Sequence, residues 1–208
     1  MNVMLENYRQ SVSASKRAAI LKAGRESFLA NGYSGTAVAD IARNADVSTA
    51  TLYKHFASKE DLFAAVVRDA YGYRDGEYAN LPEGIDVEDF LVGVIRRYLD
   101  TQFDRKINAL LRIVIAEVPH APDLARDLYE NLITIRYREL ESILEGLIAQ
   151  GRLKPHDARY GVRLIGGAIK EYFIWPALFD ANFSLPPETD EILRRTVRDF
   201  LTLYGAGR

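Results

Sequence analysis

Apolar residues in this 208-residue chain recur every three or four positions, and this spacing constrains its fold more than any other feature. No segment shows the strict alternation of apolar and polar residues that a half-buried strand requires. The breaks in the pattern fall at proline and glycine, where helices commonly start or stop. The sequence therefore predicts an all-α protein.

The predicted helices form two groups. The first helix covers about 16–31. A short second helix begins at Val38 with Thr36 as its N-cap, the third opens at Ser48, and the fourth runs from Lys59 to about Tyr78. The five helices of a C-terminal bundle cover roughly 86–104, 105–117, 122–150, 156–181 and 187–205, and Pro176 should kink or end the fourth of these. Residues 80–84 combine a proline, a glycine and a loss of periodicity, so they separate a predicted domain at 14–74 from one at 85–208.

The second and third helices are short and are separated by Asp46 and Val47, which is the spacing of a helix-turn-helix, here at 37–56. Such a pair buries little by itself and needs the first helix to complete a core. The apolar residues expected in that core are Phe28, Val38, Ile41, Ala42, Val47, Leu52 and Phe56.

One face of the third helix is predicted to be free for function. If Leu52 and Phe56 point inward, the outward face is small, hydroxylated, basic and free of acidic residues, so it can enter a major groove about 12 Å wide. Lysine and arginine supply sequence-independent affinity for phosphates, and hydroxyl groups supply neutral donors. The predicted DNA-binding residues are Thr36, Arg43, Ser48, Thr49, Ala50, Thr51, Tyr53, Lys54, His55 and Lys59, and Lys16 and Arg17 add positive charge.

This stretch resembles the DNA-binding domain of TetR-type transcriptional regulators. The matching residues are Phe28, Gly32-Tyr33, Thr36, Ile41-Ala42, Ala45, Val47-Ser48, Leu52-Tyr53, His55-Phe56 and Lys59-Glu60-Asp61-Leu62. The resemblance implies that the third helix enters the major groove of double-stranded DNA. It also implies that Tyr53, His55 and Lys59 hold phosphates, as does Thr36. Asp46 stands where the family often has glycine, but aspartate tolerates a positive φ better than most residues.

The net charge of −2 does not exclude a DNA partner, because the charge is unevenly distributed. Residues 1–70 hold nine basic and seven acidic side chains and carry a net charge of +2, whereas the rest of the chain carries −4. The sequence therefore describes a slightly basic N-terminal part on a more acidic body.

The C-terminal part resembles an AefR-type subgroup of these regulators, in residues 115–132 and in the turn at 151–154. The resemblance implies homodimerisation through the last two helices. Small and apolar residues suited to such an interface are Gly161, Leu164, Ile165, Ala168, Phe200, Leu203 and Tyr204. The same residues would also suit the core of a single chain, and the sequence does not separate the two.

The C-terminal part also carries residues suited to an effector pocket, several of them aromatic with polar tips. This composition fits an aromatic or amphipathic small molecule, although each residue could equally belong to the core. The candidates are Phe103, Leu110, Ile113, Tyr129, Tyr137, Tyr172 and Trp175.

Several chemistries are not expected. The absence of cysteine excludes disulfides, thiolate metal sites and cysteine nucleophiles. The three histidines are scattered and form no zinc-binding pair, so neither a metal, a cofactor nor an enzymatic activity is predicted. No apolar run has the length of a signal peptide core or a membrane span, so a cytoplasmic protein with no membrane partner is expected.

The sequence thus favours a homodimeric repressor that binds a palindromic operator and is released by a small ligand. The alternative is a ligand-binding or catalytic helical bundle that keeps the helix-turn-helix only as a scaffold.

Overall fold

A computed structural model describes residues 2–71, 84–104 and 106–206. Within these ranges the chain forms helices and no strand, apart from an isolated bridge between Leu153 and Gly205, so the all-α prediction is confirmed. The helices are α1 (Asn2–Asn31), α2 (Val38–Asn44), α3 (Thr49–His55), α4 (Lys59–Tyr71), α5 (Val87–Asp104), α6 (Ile107–Glu117), α7 (Pro122–Leu128), α8 (Thr134–Ala149), α9 (Ala158–Ile169), α10 (Trp175–Phe179) and α11 (Thr189–Tyr204).

The described residues cluster into two compact units. The first contains residues up to Tyr71 together with 109–128, and the second contains the remainder, including 129–206. Most of the predicted boundary at 80–84, and residues 72–78 of the predicted fourth helix, lie outside the described residues. The domain limits 14–74 and 85–208 stay a prediction.

The core of the first unit is built on α1, which packs against α2 and α4. Phe28 and Phe63 are fully buried, with their ring centroids 4.8 Å apart in an edge-on arrangement. Burial of each large apolar side chain contributes roughly 1.5–3 kcal/mol. Most of the predicted core is confirmed as buried: Phe28, Ile41, Ala42, Leu52 and Phe56; Val38 and Val47 are half-buried.

The second unit is a helical bundle in which α8 packs on α9, and α11 packs on both α5 and α9. Its centre holds fully buried side chains such as Leu99, Phe173 and Val197. Ion pairs from Glu88 to Arg194 and Arg198 join α5 to α11 at the surface.

Two predictions about the ends of helices are wrong. Helix α1 begins at Asn2 and not near Lys16, and residues of the added part whose exposure is described, such as Tyr8, Gln10 and Ser13, are exposed. Thr36 does not cap α2. The N-cap is Ala37, and the Thr36 hydroxyl donates to the carbonyl of Gly32 at 2.6 Å.

Each of two predicted long helices is interrupted by a π-helical turn. Residues 129–133 separate α7 from α8, and residues 170–174 separate α9 from α10. Pro176 has no N–H to bond the carbonyl of Tyr172, and the wider turn directly precedes it. Pro176 is the second residue of α10, which continues to Phe179, so the regular helix is interrupted before this proline and is not ended by it.

Candidate nucleic-acid interface

The turn between α2 and α3 fixes the orientation of α3. Asp46 has a φ of 54°, as its tolerance of the left-handed region predicted, and the Val47 amide donates to the carbonyl of Ala42 at 3.0 Å. Ser48 is the N-cap of α3, and its Oγ accepts a hydrogen bond from the Thr51 amide at 3.1 Å. The start of α3 is therefore held by both the turn and the cap.

The exposed face of α3 has the composition that the sequence indicated. Leu52 points into the core and is fully buried, whereas Tyr53 is 48% exposed. Ser48, Thr49, Ala50 and Lys54 are exposed as well, and Thr51 and His55 are half-buried. None of the residues in α3 is acidic. The contacts of these side chains with DNA stay a prediction.

Two other predicted DNA-binding residues are engaged within the protein. The Thr36 hydroxyl is buried between backbone carbonyls, 2.6 Å from that of Gly32 and 3.1 Å from that of Ser27. Arg43 is exposed, and its guanidinium lies 2.7 Å from the carboxylate of Asp40. A phosphate would therefore meet an Arg43 whose charge is partly compensated.

Lys59 begins α4 and lies against the residues that follow α1. Its Nζ is 4.6 Å from the centre of the Tyr33 ring and 3.5 Å from the carbonyl oxygen of Ser34. The Tyr33 hydroxyl donates to Glu60 Oε1 at 2.7 Å. Burial raises the pKa of the Tyr33 phenol, and the hydrogen bond to Glu60 raises this pKa further. The same hydrogen bond is the main cause of the lowered pKa of Glu60.

A depression of about 420 Å³ opens beside α3. Arg17 on α1, Lys54 on α3 and Arg68 on α4 line it together with Asp61, and Arg68 is paired with Asp127 at 3.2 Å. The Arg17 guanidinium is held 5.2 Å from the centre of the Phe56 ring. Arg17 therefore adds a cation to this surface outside the helix-turn-helix.

The sequence assigned no role to Tyr33, Ser34 or Glu60. Tyr33 and Glu60 belong to the family signature, so their position in the motif was the available signal. Ser34 carries no such signal, because its contacts come from the fold.

The residues predicted for the dimer interface divide into two groups. Leu164 and Leu203 are exposed, and Ala168 and Tyr204 are half-buried. The others, Gly161, Ile165 and Phe200, are buried within the single chain. Tyr160 and Phe179 are exposed as well and were not among the predicted interface residues.

The seven residues proposed for an effector pocket are divided between the two units. Leu110 and Ile113 lie in the first unit, and the others lie in the second. Leu110 is fully buried, whereas Tyr129, Tyr172 and Trp175 are more than half exposed. Tyr137 contacts the amine of Lys170, and Phe103 lies 6.0 Å from Phe183 between ring centres.

The described residues contain no group of three or more histidine, aspartate or glutamate side chains able to hold a metal ion. Within the same part of the chain, no helix is long and apolar enough to cross a membrane.

A helix-turn-helix whose second helix is capped and exposed, in a chain that also carries a helical bundle, is the arrangement typical of DNA-binding transcriptional regulators. Family models support this class: residues 20–66 match the bacterial regulatory proteins of the tetR family, and residues 89–206 match the C-terminal domain of AefR-like transcriptional repressors. The second match covers more than half of the chain. The protein belongs to the TetR family of transcriptional regulators, which is not a family of enzymes.

Individual relatives agree with this assignment. The HTH-type transcriptional regulator UidR of Escherichia coli K12 is 30% identical over 132 residues, which are 64% of this chain and 66% of UidR, just under two thirds of that protein. A TetR-family regulator from Mesorhizobium loti superimposes with a TM-score of 0.82 at 28% identity, covering 93% of this chain and 98% of that one. The flavonoid-responsive regulator FrrA superimposes with a TM-score of 0.74, also at 28% identity, with the same shares of the two chains covered.

Proposed function

We propose that this protein is a homodimeric cytoplasmic repressor that binds a palindromic operator and is released from it by a small-molecule effector. The observation that carries the proposal is the exposed, acid-free face of α3, which is fixed at its start by the Ser48 cap. Two such helices in a dimer would read half-sites about one helical turn apart.

Substitutions on α3 test the DNA-binding part of the proposal. Lys54→Ala removes an exposed cation and should weaken binding to DNA from the neighbouring intergenic region, and it should lower the salt slope by about one for each α3 helix engaged. Tyr53→Ala should weaken binding by removal of a half-exposed aromatic donor. Lys22→Ala, which removes an exposed cation on α1 outside the motif, is the matched control. Unchanged affinity and salt slope in both α3 variants would contradict the assignment.

Exposed apolar side chains support the proposed dimer. Phe179 is 87% exposed, and Leu164 and Leu203 are exposed as well. An interface with a second copy of the chain would cover such side chains and would satisfy the two-fold symmetry of a palindrome. Phe179→Asp should therefore shift the protein toward monomers in sedimentation velocity experiments. Tyr8→Asp, at an aromatic residue 68% exposed on α1, should not.

The effector is proposed to be aromatic. The similarity to a regulator named flavonoid-responsive supports this class, as do the aromatic residues of the second unit. Trp175 is the chain's single tryptophan, so its fluorescence can report on compounds that bind nearby. Flavonoids and other aromatic compounds should be titrated into the protein–DNA complex, and release of the DNA should be followed by anisotropy. Failure of every aromatic compound to release the DNA, when an aliphatic compound does, would contradict this effector class.

A further inference from the structure

We propose that Glu117, at the end of α6, is a positioning residue that controls how far Lys59 is available to a DNA phosphate. The inference rests on the proposed DNA-binding function and adds to it a residue outside the helix-turn-helix.

Among the described residues, the side chain of Glu117 contacts the segment between α1 and α2. Glu117 is only 8% exposed. Its carboxylate accepts a hydrogen bond from Ser34 Oγ, which lies 3.1 Å from Oε1 and 3.4 Å from Oε2. Ser34 and Glu117 are 83 positions apart in the sequence but belong to the same compact unit. The end of α6 is thereby tied to the segment that connects α1 and α2.

The same segment holds Lys59. Ser34 contacts Glu117 with its side chain and Lys59 with its backbone carbonyl, 3.5 Å from Nζ. The Tyr33 ring lies beneath the ammonium. Burial and Glu60 are the larger causes of the raised pKa of Tyr33, and the charge of Glu117 makes a smaller contribution.

The Ser34 hydroxyl gives the Glu117 carboxylate a neutral donor. Ser34 is exposed, so water can replace its hydroxyl in part, but a carboxylate that has lost a direct donor attracts a nearby cation more strongly. Lys59 contacts the Ser34 carbonyl and is therefore a cation held by the same residue. Loss of the hydroxyl should therefore draw Lys59 away from DNA, whereas loss of the negative charge should make Lys59 a better partner for a phosphate.

The two changes should consequently act in opposite directions. Ser34→Ala should weaken DNA binding roughly threefold to tenfold for each DNA-binding unit, and it should lower the salt slope by about one, as expected for the loss of one phosphate contact. Glu117→Gln keeps an oxygen that accepts from Ser34 but removes the charge, and should strengthen binding roughly twofold to fivefold for each unit. In a Lys59→Ala background, the effect of Ser34→Ala should disappear.

Binding should be measured by anisotropy over a salt series, at temperatures below the unfolding transition of every variant. Ser142→Ala and Glu145→Gln, at exposed positions of α8, are matched controls for the change in side chain. A purely structural role for Glu117 predicts that Ser34→Ala and Glu117→Gln both weaken binding in step with their loss of Tm, at an unchanged salt slope, and this result would overturn the proposal. If Lys54→Ala weakens binding while neither variant changes it, the inference alone fails. If Lys54→Ala also has no effect, the proposed function fails as well, and the inference with it.

Discussion

Gly161 on α9 is the position where the addition of one methyl group should have the clearest effect on stability. A Cβ at this residue would lie 2.8 Å from His156 Nε2 and 3.0 Å from Leu144 Cδ1. The imidazole has little room to move, because it stacks on Tyr204 with ring centres 4.1 Å apart, and its Nδ1 lies 2.8 Å from the carbonyl oxygen of Lys154. Gly161→Ala must therefore displace packed groups.

The expected magnitude follows from two opposing effects. Replacement of glycine by alanine within a helix stabilises it by up to about 1 kcal/mol, because the unfolded chain loses freedom. Overpacking of a rigid site costs typically about 1–3 kcal/mol, and contacts as short as these belong to the upper part of that range. We expect a net loss of about 1–2 kcal/mol, which lowers Tm by roughly 2–8 °C in a chain of this length.

Gly93 in α5 provides a matched control, since a Cβ there would have no neighbour within 4 Å. Gly93→Ala should raise Tm by a few degrees, because alanine favours a helix more than glycine does and no overpacking opposes this gain. Both variants should be followed by circular dichroism at one protein concentration, because association of subunits would make Tm depend on concentration. An unchanged or raised Tm in Gly161→Ala would refute the close packing of His156 against α9.

Three further substitutions test other contacts. Ser48→Ala removes the cap of α3 and leaves the Thr51 amide without its side-chain acceptor, so urea unfolding should show a loss of about 1 kcal/mol; an unchanged midpoint would contradict the cap. Tyr33→Phe removes the hydrogen bond that lowers the pKa of Glu60. A lowered pKa of Glu60 stabilises the fold above its ordinary value near 4.5, and this contribution is lost as the pH falls through the folded value. The variant should therefore be less stable by under about 1 kcal/mol at pH 7, and the difference should shrink below pH 4.5. A constant difference across the titration would argue against this coupling. Glu88→Gln breaks the pairs with Arg194 and Arg198, and its small loss of stability should vanish near 1 M salt; persistence of the loss at high salt would point to packing instead.

The sequence could predict those parts of the fold that depend on local patterns. The apolar stripe identified α3 and its inward-facing Leu52, and the tolerance of aspartate for a positive φ correctly described the turn at Asp46. The start of α1 at Asn2 was missed; Tyr8 and Gln10, in the missed part, are exposed and do not belong to the buried stripe of this helix. The π-helical turn before Pro176 follows from the missing N–H of proline. Nothing in the sequence explains the other one, at 129–133.

The candidate site was predictable only where its residues are neighbours in the sequence. Tyr53 and Lys54 follow from the periodicity of a single helix, and their exposure is as expected. The contact of Ser34 with Glu117 depends on the fold, because a separation of 83 residues carries no periodic signal. The burial of the Thr36 hydroxyl likewise depends on the fold, because the chain after α1 brings this hydroxyl next to the carbonyl of Gly32.

Residues 109–128 fall on different sides of the two divisions of the chain, the one into family domains and the one into compact units. They fall within the segment that matches the AefR-like C-terminal domain, yet they pack with the DNA-binding helices. Ser34 with Glu117, and Arg68 with Asp127 at 3.2 Å, are two of the contacts that hold them there. The chain passes between the units inside α6, since residues 107 and 108 belong to the second unit and the rest of this helix to the first. The boundary between the family domains and the boundary between the compact units therefore do not coincide.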